Sequence, residues 1–369
     1  MPEDINIKKG LRPLSKLYGW GVNLRNKSFD KGTLKSEQFP VPVISIGNLA
    51  VGGTGKTPHT EYLIRLLSKK YKVAVLSRGY KRKTAGFHLA NAQSTAQAIG
   101  DEPFQMFRKF PEATVAVDSN RRRGIKRLLE LPVNQRPEVI LLDDAYQHRY
   151  VTPSLSILLT RCQRLFSSDA LLPAGRLREP AANSQRANIV ICTKCDEELS
   201  KEDAQALAKQ IPVTPQQQLY FTGFHYKGLL PVFPESTSVK KENLEHLQKE
   251  GYSMLIVAGL AHPEDMIAYL QNYTENLQTL IFSDHHDFSK KNIALIAAKY
   301  AAIKHEKKLI ITSEKDAMRL IDSPSVPEAL KPAFYYLPIR VVFCTDQEEL
   351  FIQQIENHVT NFKGNRSLA

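Results

Sequence analysis

Short apolar runs recur along the first part of the chain, at 41–46, 72–77, 114–117, 139–142, 155–159 and 189–192, each followed within two residues by glycine or a charged residue. Runs of this length without polar alternation are what strands buried on both faces look like. Between them, 59–67 and 104–110 repeat apolar residues at helical spacing, and 201–210 is a polar helical stretch. The alternation predicts an α/β fold with a mostly parallel sheet. Near residue 216 the texture changes: Pro212 and Pro215, a predicted hairpin over 219–233 and the charged stretch 235–250 follow. We therefore expect a core at 1–215 and a smaller α/β domain at 216–369, joined by a hairpin linker. The second carries predicted strands at 254–258, 279–282, 308–311 and 341–344, and helices at 263–271 and 292–303. At the other end, about 11–24, Pro13 opens a helix on which Leu14, Tyr18 and Val22 share a face, flanked by Leu17 and Leu24. Lys9, Arg12 and Lys16 lie to another side. The segment suits a membrane interface or packing on the protein's own core, and Gly19 and Gly21 weaken it.

The pattern places chemistry at strand ends. After the run at 41–46 come Gly47-Asn-Leu-Ala-Val-Gly-Gly-Thr-Gly-Lys-Thr-Pro58 and then a helix, the strand–loop–helix order of a P-loop. Gly52, Gly53, Thr54 and Gly55 would turn backbone N–H groups onto phosphate, Lys56 would reach the β- and γ-phosphates, and Thr57 would ligate Mg²⁺. Ala50 replaces the first glycine of the usual pattern. Four apolar residues ending in Asp143-Asp144 give a Walker B arrangement, with Asp143 as the metal partner. Tyr80 follows the second strand, and ligands of open α/β sheets bind beyond such ends. Arg121 to Arg123 and the 172–180 loop, with Arg176 and Arg178, are anion-site candidates, whereas Asp101-Glu102 at a helix start read first as N-cap chemistry. Thr193-Lys-Cys-Asp196 mimics the base-reading element of GTPases. Asp284-His-His-Asp287 offers metal-type ligands, but no complete ligand set.

A chain of 369 residues with 42% hydrophobic and 24% charged residues is an ordinary globular composition. No apolar run reaches membrane-span length, and no signal-peptide core precedes the first strand. The net charge of +12 favours an anionic partner without choosing among nucleic acid, lipid and phosphorylated substrate. Residues 7–35 concentrate this bias, with eight Lys or Arg against Asp30 alone. Four cysteines point to a reducing cytoplasm, and Cys192-x-x-Cys195 reads as a buried strand end in preference to a zinc site.

The P-loop segment, together with Ser77-Arg-Gly-Tyr80, Gly100-Asp-Glu-Pro103, Asp143-Asp144 with Gln147-His148, Leu172-Pro-Ala-Gly175 with Arg178-Glu179, Ala258-Gly259 with His262-Pro263, Asp284-His285 and Glu314-Lys-Asp-Ala317, resembles the tetraacyldisaccharide 4'-kinase family over nearly the whole chain. The resemblance implies ATP- and Mg²⁺-dependent phosphorylation of the 4'-hydroxyl of a tetraacylated disaccharide 1-phosphate, giving lipid IVA, at the cytoplasmic face of the inner membrane. It turns Asp101 into the expected general base with His285 as its partner, and leaves open whether His262 or His286 takes part. Tyr80, Arg121, Asp144, His148, Arg178 and Glu179 become expected substrate contacts. It tips the N-terminal helix towards docking on anionic lipid, and the expected protein is a monomer without nucleic acid. The rivals are a P-loop GTPase, although no D-x-x-G occurs, and a nucleic-acid-dependent ATPase, although 7–35 lacks a stacking platform of interleaved aromatics.

Overall fold

The computed structural model describes residues 7–238, 241–284 and 286–367. Among the described residues, fourteen strands run in chain order: β1 (Val43–Asn48), β2 (Val73–Ser77), β3 (His88–Leu89), β4 (Thr114–Val117), β5 (Val139–Asp143), β6 (Leu155–Arg161), β7 (Ile189–Thr193), β8 (Gln218–Tyr226), β9 (Leu230–Pro231), β10 (Ser253–Ala258), β11 (Leu277–Ile281), β12 (Lys308–Ser313), β13 (Phe334–Leu337) and β14 (Ile339–Phe343). The α-helices are α1 (Arg12–Asp30), α2 (Lys56–Leu67), α3 (Ala96–Ile99), α4 (Asp101–Lys109), α5 (Arg121–Leu129), α6 (Lys201–Ala208), α7 (Leu244–Lys249), α8 (Glu264–Gln271), α9 (Lys290–Ala302), α10 (Glu314–Leu320) and α11 (Glu348–Ser367).

The chain forms two compact units, 1–225 with 341–369, and 226–340. The larger unit holds a nine-stranded sheet in the order β14-β8-β7-β6-β1-β5-β2-β4-β3. Strands β2, β4, β5, β1, β6, β7 and β8 pair parallel, so their carboxyl ends share one edge. Every residue of β1, β2, β5, β6 and β7 is buried, which is why their sequences run apolar without alternation. The pleat still sorts them. Val139 and Leu141 join Leu63, Ile64 and Leu67 of α2 and Met106 of α4 on one face, whereas Ile140 and Leu142 meet Ile125 and Leu128 of α5 on the other.

The smaller unit is a five-stranded sheet, β11-β10-β12-β13-β9, with β9 antiparallel to β13. Its helices α8, α9 and α10 follow β10, β11 and β12 respectively.

The expected partition differs in two respects. No hairpin joins β8 to β9: β8 extends the large parallel sheet beside β7, and β9 enters the small sheet. The last predicted strand, at 341–344, is β14 of the large sheet, and α11 follows it into the same unit, burying Phe351, Ile355 and Val359 against Tyr220. A local pattern marks strands but not the sheet they join, because pairing is a non-local choice.

The N-terminal helix is also arranged differently from the expected stripe. Ser15, Gly19, Asn26 and Phe29 face inward, Val22 is half-buried, and Leu14, Leu17, Trp20 and Leu24 are exposed. Ser15 explains the orientation: its Oγ donates to the Leu171 carbonyl (3.0 Å) and accepts from the Ala174 N–H (3.0 Å). The Tyr18 hydroxyl donates to the Arg178 carbonyl (2.9 Å), and the Arg25 guanidinium to that of Gln147 (3.1 Å). Polar anchoring turns the apolar side chains outward. No helix among the described residues is long and apolar enough to cross a membrane.

Candidate active site

The central strands set the site along their shared edge. Ile46 of β1 lies opposite Asp143 of β5, and Leu142 opposite Leu76 of β2, so the loops leaving β1, β5 and β2 emerge side by side. In the first loop Gly52 and Gly55 adopt φ of 111° and 83°, and α2 begins at Lys56. The loop is held by its own hydrogen bonds. Asn48 Nδ2 donates to Thr54 Oγ1 (2.8 Å), the Thr193 hydroxyl to the Thr54 carbonyl (2.9 Å), and the Val51 N–H to the Arg176 carbonyl (2.8 Å). Thr54 is thus buried by its side chain, while Gly53 is exposed. Ala50, the departure from the usual motif, forms an antiparallel bridge to Leu177.

The acids after β5 serve two environments. Asp143 is 1% exposed and accepts from the hydroxyls of Thr60 (3.2 Å) and Ser77 (3.3 Å). Burial, then the nearby carboxylates of Glu102 and Asp144, push it up to about 7. Asp144 takes a left-handed φ of 45° and turns to the cations: Lys56 Nζ lies 3.6 Å from its Oδ1, and the Arg178 guanidinium donates to Oδ1 and Oδ2 (3.2 and 3.3 Å). Burial opposes its charge, yet Lys56, Arg178 and Arg121 hold it below the ordinary carboxylate value. Gln147 closes the chain, accepting from Arg178 (3.4 Å) and donating to the Asn48 carbonyl (2.7 Å). The crowding of Asp143 by the carboxylates of Glu102 and Asp144, which a bound cation would relieve, fits a divalent ion of the Mg²⁺ type.

Two expected substrate contacts lie deep and a third is half-buried. Arg121 is 2% exposed and donates to the carbonyls of Asp118 (2.9 Å) and Asp143 (3.2 Å), so it braces the ends of β4 and β5. Glu179 is 1% exposed and accepts from Arg186 and Asn183. His148 is half-buried and pushed down to about 4 by burial first and then by Arg121, Arg25, Arg122 and Arg78. Arg78 and Arg122 come from the Ser77–Tyr80 and Arg121–Arg123 segments already singled out, whereas Arg25 joins them from α1 unannounced by any motif.

Tyr80 is exposed. Its loop touches the one that carries Asp101: Gly100 has φ of 94°, and a Cβ there would stand 3.2 Å from both Gly79 Cα and the Tyr80 carbonyl oxygen. Gly100, not Asp101, is the N-cap of α4; Asp101 is the first helical residue, and its neighbour Glu102 reaches towards Asp143. The sequence pattern had offered Asp101 as the cap.

In the smaller unit three motif loops are tied by Asp316, which is fully buried and accepts from the Gly259 N–H (2.9 Å), Ser313 Oγ (2.6 Å) and Arg319 (3.3 Å). Arg319 also donates to the His286 carbonyl (3.1 Å), and Lys315 pairs with Asp284 (3.0 Å). The His286 ring stacks on Phe282 at 4.4 Å, and His262 Nδ1 lies 4.0 Å from Glu264. His285 lies outside the described residues. Among the described residues, no three His, Cys, Asp or Glu side chains are grouped to hold a metal ion.

A parallel sheet covered on both faces, a glycine loop opening a helix at Lys56-Thr57 and a buried acid ending the adjacent strand define the P-loop NTPase class. The family model for Tetraacyldisaccharide-1-P 4'-kinase matches residues 7–360. Tetraacyldisaccharide 4'-kinase of Phocaeicola vulgatus is 49% identical over 365 residues, covering 99% of each chain. The enzyme of that name from Bacteroides fragilis is 51% identical, over 99% of this chain and 96% of its own. The crystal structure of LpxK from Aquifex aeolicus in complex with ATP matches with a TM-score of 0.72 at 29% identity, over 95% of this chain and 99% of that one. The chain belongs to the tetraacyldisaccharide 1-phosphate 4'-kinase family, and is a kinase of lipid A biosynthesis.

Proposed function

We propose that this chain transfers the γ-phosphoryl group of ATP to the 4'-hydroxyl of tetraacyldisaccharide 1-phosphate, giving lipid IVA, at the cytoplasmic face of the inner membrane. The observation that carries the reading is the Lys56–Asp144–Arg178 ion chain set against the glycine loop. It holds the lysine at the mouth of the cradle. Backbone N–H groups of Gly52, Gly53, Thr54 and Gly55 would take the phosphates, and Lys56 would leave Asp144 for the β- and γ-phosphates. Thr57 and Asp143 would hold Mg²⁺, which when bound supplies charge neutralisation between the phosphates.

Phosphoryl transfer asks the protein mainly to position and to neutralise. Asp101 in the first turn of α4 is the base we assign to the acceptor hydroxyl, with His285 orienting it as the family resemblance implies. Tyr80 and the cationic surroundings of His148 suit a phosphorylated sugar, and Arg178, drawn on by Asp144, suits the same anion. Arg121 and Glu179 would act beneath the surface, the first by bracing Asp143 and the second by holding Arg186. The outward Leu14, Leu17, Trp20 and Leu24 beside the basic residues of 7–35 suit an anionic lipid surface, where an acylated acceptor resides. Lipid is therefore the partner of choice, with no role for nucleic acid.

The test is a kinase assay with radiolabelled ATP and the disaccharide 1-phosphate. Label should enter the lipid product, and Lys56→Ala and Thr57→Ala should abolish transfer while leaving the circular dichroism spectrum unchanged. Transfer at the normal rate in either variant would remove the glycine loop from the mechanism.

A further inference from the structure

All four cysteines, 162, 192, 195 and 344, are free thiols from separate points of the chain: just past β6, within β7, just past β7 and just past β14. They meet in one apolar cluster, Cys192 and Cys195 buried within it and Cys162 and Cys344 packed against it. The strand register brings them together. Thr160 lies opposite Cys192 and Cys192 opposite Phe221, while the N–H groups of Cys344 and Cys195 donate to the carbonyls of Phe221 and Thr222 (both 3.0 Å). A Cβ on Gly223 would stand 2.8 Å from the Cys195 carbonyl oxygen and 3.3 Å from Cys344 Sγ, so those two cysteines flank it. Cys195 is buried among them, its thiol donating to the Cys192 carbonyl at 3.3 Å.

Packing of small apolar side chains accounts for the buried Cys192. Cys162 is different, because it is only half-buried and its thiol donates to the Lys194 carbonyl at 3.7 Å. Neighbouring Cys195 holds the Cys162 thiol below its ordinary value against the opposing effect of burial, with help from Arg161. An accessible thiol of lowered pKa beside a resolving thiol is the arrangement of redox-sensitive pairs.

The segment between these cysteines also touches the phosphate loop. The Thr193 hydroxyl donates to the Thr54 carbonyl (2.9 Å). Lys194 takes a left-handed φ of 57°, and its carbonyl accepts from Gln163 Nε2 (2.6 Å) as well as from Cys162. Closing two thiols to the S–S bond length of about 2.05 Å draws the backbone of 193–195 towards β6, and Thr54 hangs on that backbone.

We propose that Cys162 and Cys195 form a reversible dithiol–disulfide site that shifts the phosphate loop. The oxidant is of the hydroperoxide class. Cys162 sulfur attacks a peroxide oxygen, the O–O bond breaks, and the departing hydroxide leaves as water with the Cys162 thiol proton, giving the sulfenic acid. Cys195 sulfur then attacks Cys162 sulfur; the S–S bond forms and the hydroxyl leaves with the Cys195 proton as a second water. The two sulfurs lose two electrons, and the peroxide gains them. A small dithiol restores both thiols by exchange.

The effect on nucleotide rests on the phosphate-loop reading above; the disulfide and the loop shift do not. The full chain, reduced or treated with hydrogen peroxide, is digested without reductant and mapped by mass spectrometry. Hydrogen exchange at 49–57 and affinity for a fluorescent ATP analogue are measured on the same samples. We expect a Cys162–Cys195 linked peptide that dithiothreitol removes, faster exchange at 49–57, and nucleotide binding weakened roughly tenfold, within the range usual for coupled sites. Cys162→Ser should keep the affinity of the reduced protein and lose all three responses. Cys195→Ser should behave likewise, and if that buried change prevents folding, the wild-type peptide map decides. The proposal is overturned if no 162–195 link forms, if the link leaves exchange at 49–57 unchanged, or if elemental analysis finds one metal ion per chain protecting all four thiols. A reduced protein that binds no nucleotide defeats the phosphate-loop reading, while the map and the exchange data still judge this one.

Discussion

At the scale of single residues, the site works by setting like groups in unlike surroundings. Asp143 and Asp144 are neighbours in sequence, yet one is raised towards neutrality by burial and adjacent carboxylates while the other is kept ionised by Lys56, Arg178 and Arg121. Divergent environments for paired carboxyls are how one fold assigns distinct roles to them. Asp101, the base assigned above, is not the cap of α4, since Gly100 fills that position. Asp101→Asn keeps the size of the side chain but cannot take a proton, so kcat should fall roughly 10²–10⁴-fold with the melting temperature unchanged. His285→Ala should slow the same step. If the histidine acts only by orienting the aspartate, the double variant loses far less than the product of the single effects. Single-turnover rates for the four proteins measure this, and fully multiplicative losses would break the pair and make Asp144 the next candidate base.

At the scale of elements, α2 and α1 each carry a consequence. His59 on α2 is 4% exposed, bonded through Nδ1 to the Gly55 carbonyl (2.7 Å) and through Nε2 to the Thr222 hydroxyl (3.0 Å), and burial lowers it from 6.5 to about 4. The unfolded chain therefore binds the proton first as pH falls. The stability that neutral His59 provides is whole above pH 6.5 and drains away by about 3 kcal/mol between there and pH 4. Urea unfolding followed across that interval should show the loss, and His59→Asn should flatten it; an equal slope in the variant would assign the dependence to other groups. In α1 the outward side chains are Leu14, Leu17, Trp20 and Leu24. Leu17→Glu with Trp20→Glu should release the protein from anionic vesicles without lowering its melting temperature, because neither side chain packs inward. Full sedimentation of this variant with vesicles would place the docking surface elsewhere.

At the scale of the whole molecule, the chain leaves the large unit after β8, builds the small one, and returns at β14 to lay α11 on the first core. The returning helix buries Phe351, Ile355 and Val359 almost completely, so Phe351→Ala should cost about 3–5 kcal/mol in denaturant unfolding, the loss expected of a large core cavity. A cost below 1 kcal/mol, on the order of a surface change, would show that α11 is dispensable to that core. Much of this protein was written locally in its sequence. The apolar runs fixed the central strands because burial on both faces demands them, and the strand–turn–helix order at β1 and α2 was legible because glycines supply the left-handed turn between them. The tertiary structure alone decided the rest. It placed β8 and β14 in the large sheet, turned Leu17 and Trp20 out by anchoring Ser15 and Tyr18, buried Arg121 and Glu179 beneath the site, and gathered Arg25, Arg78 and Arg122 around His148. Periodicity reports only what each segment hides from water, whereas strand partners, helix orientation and the neighbours of a charge are set by contacts between residues far apart in the chain, which no local pattern encodes.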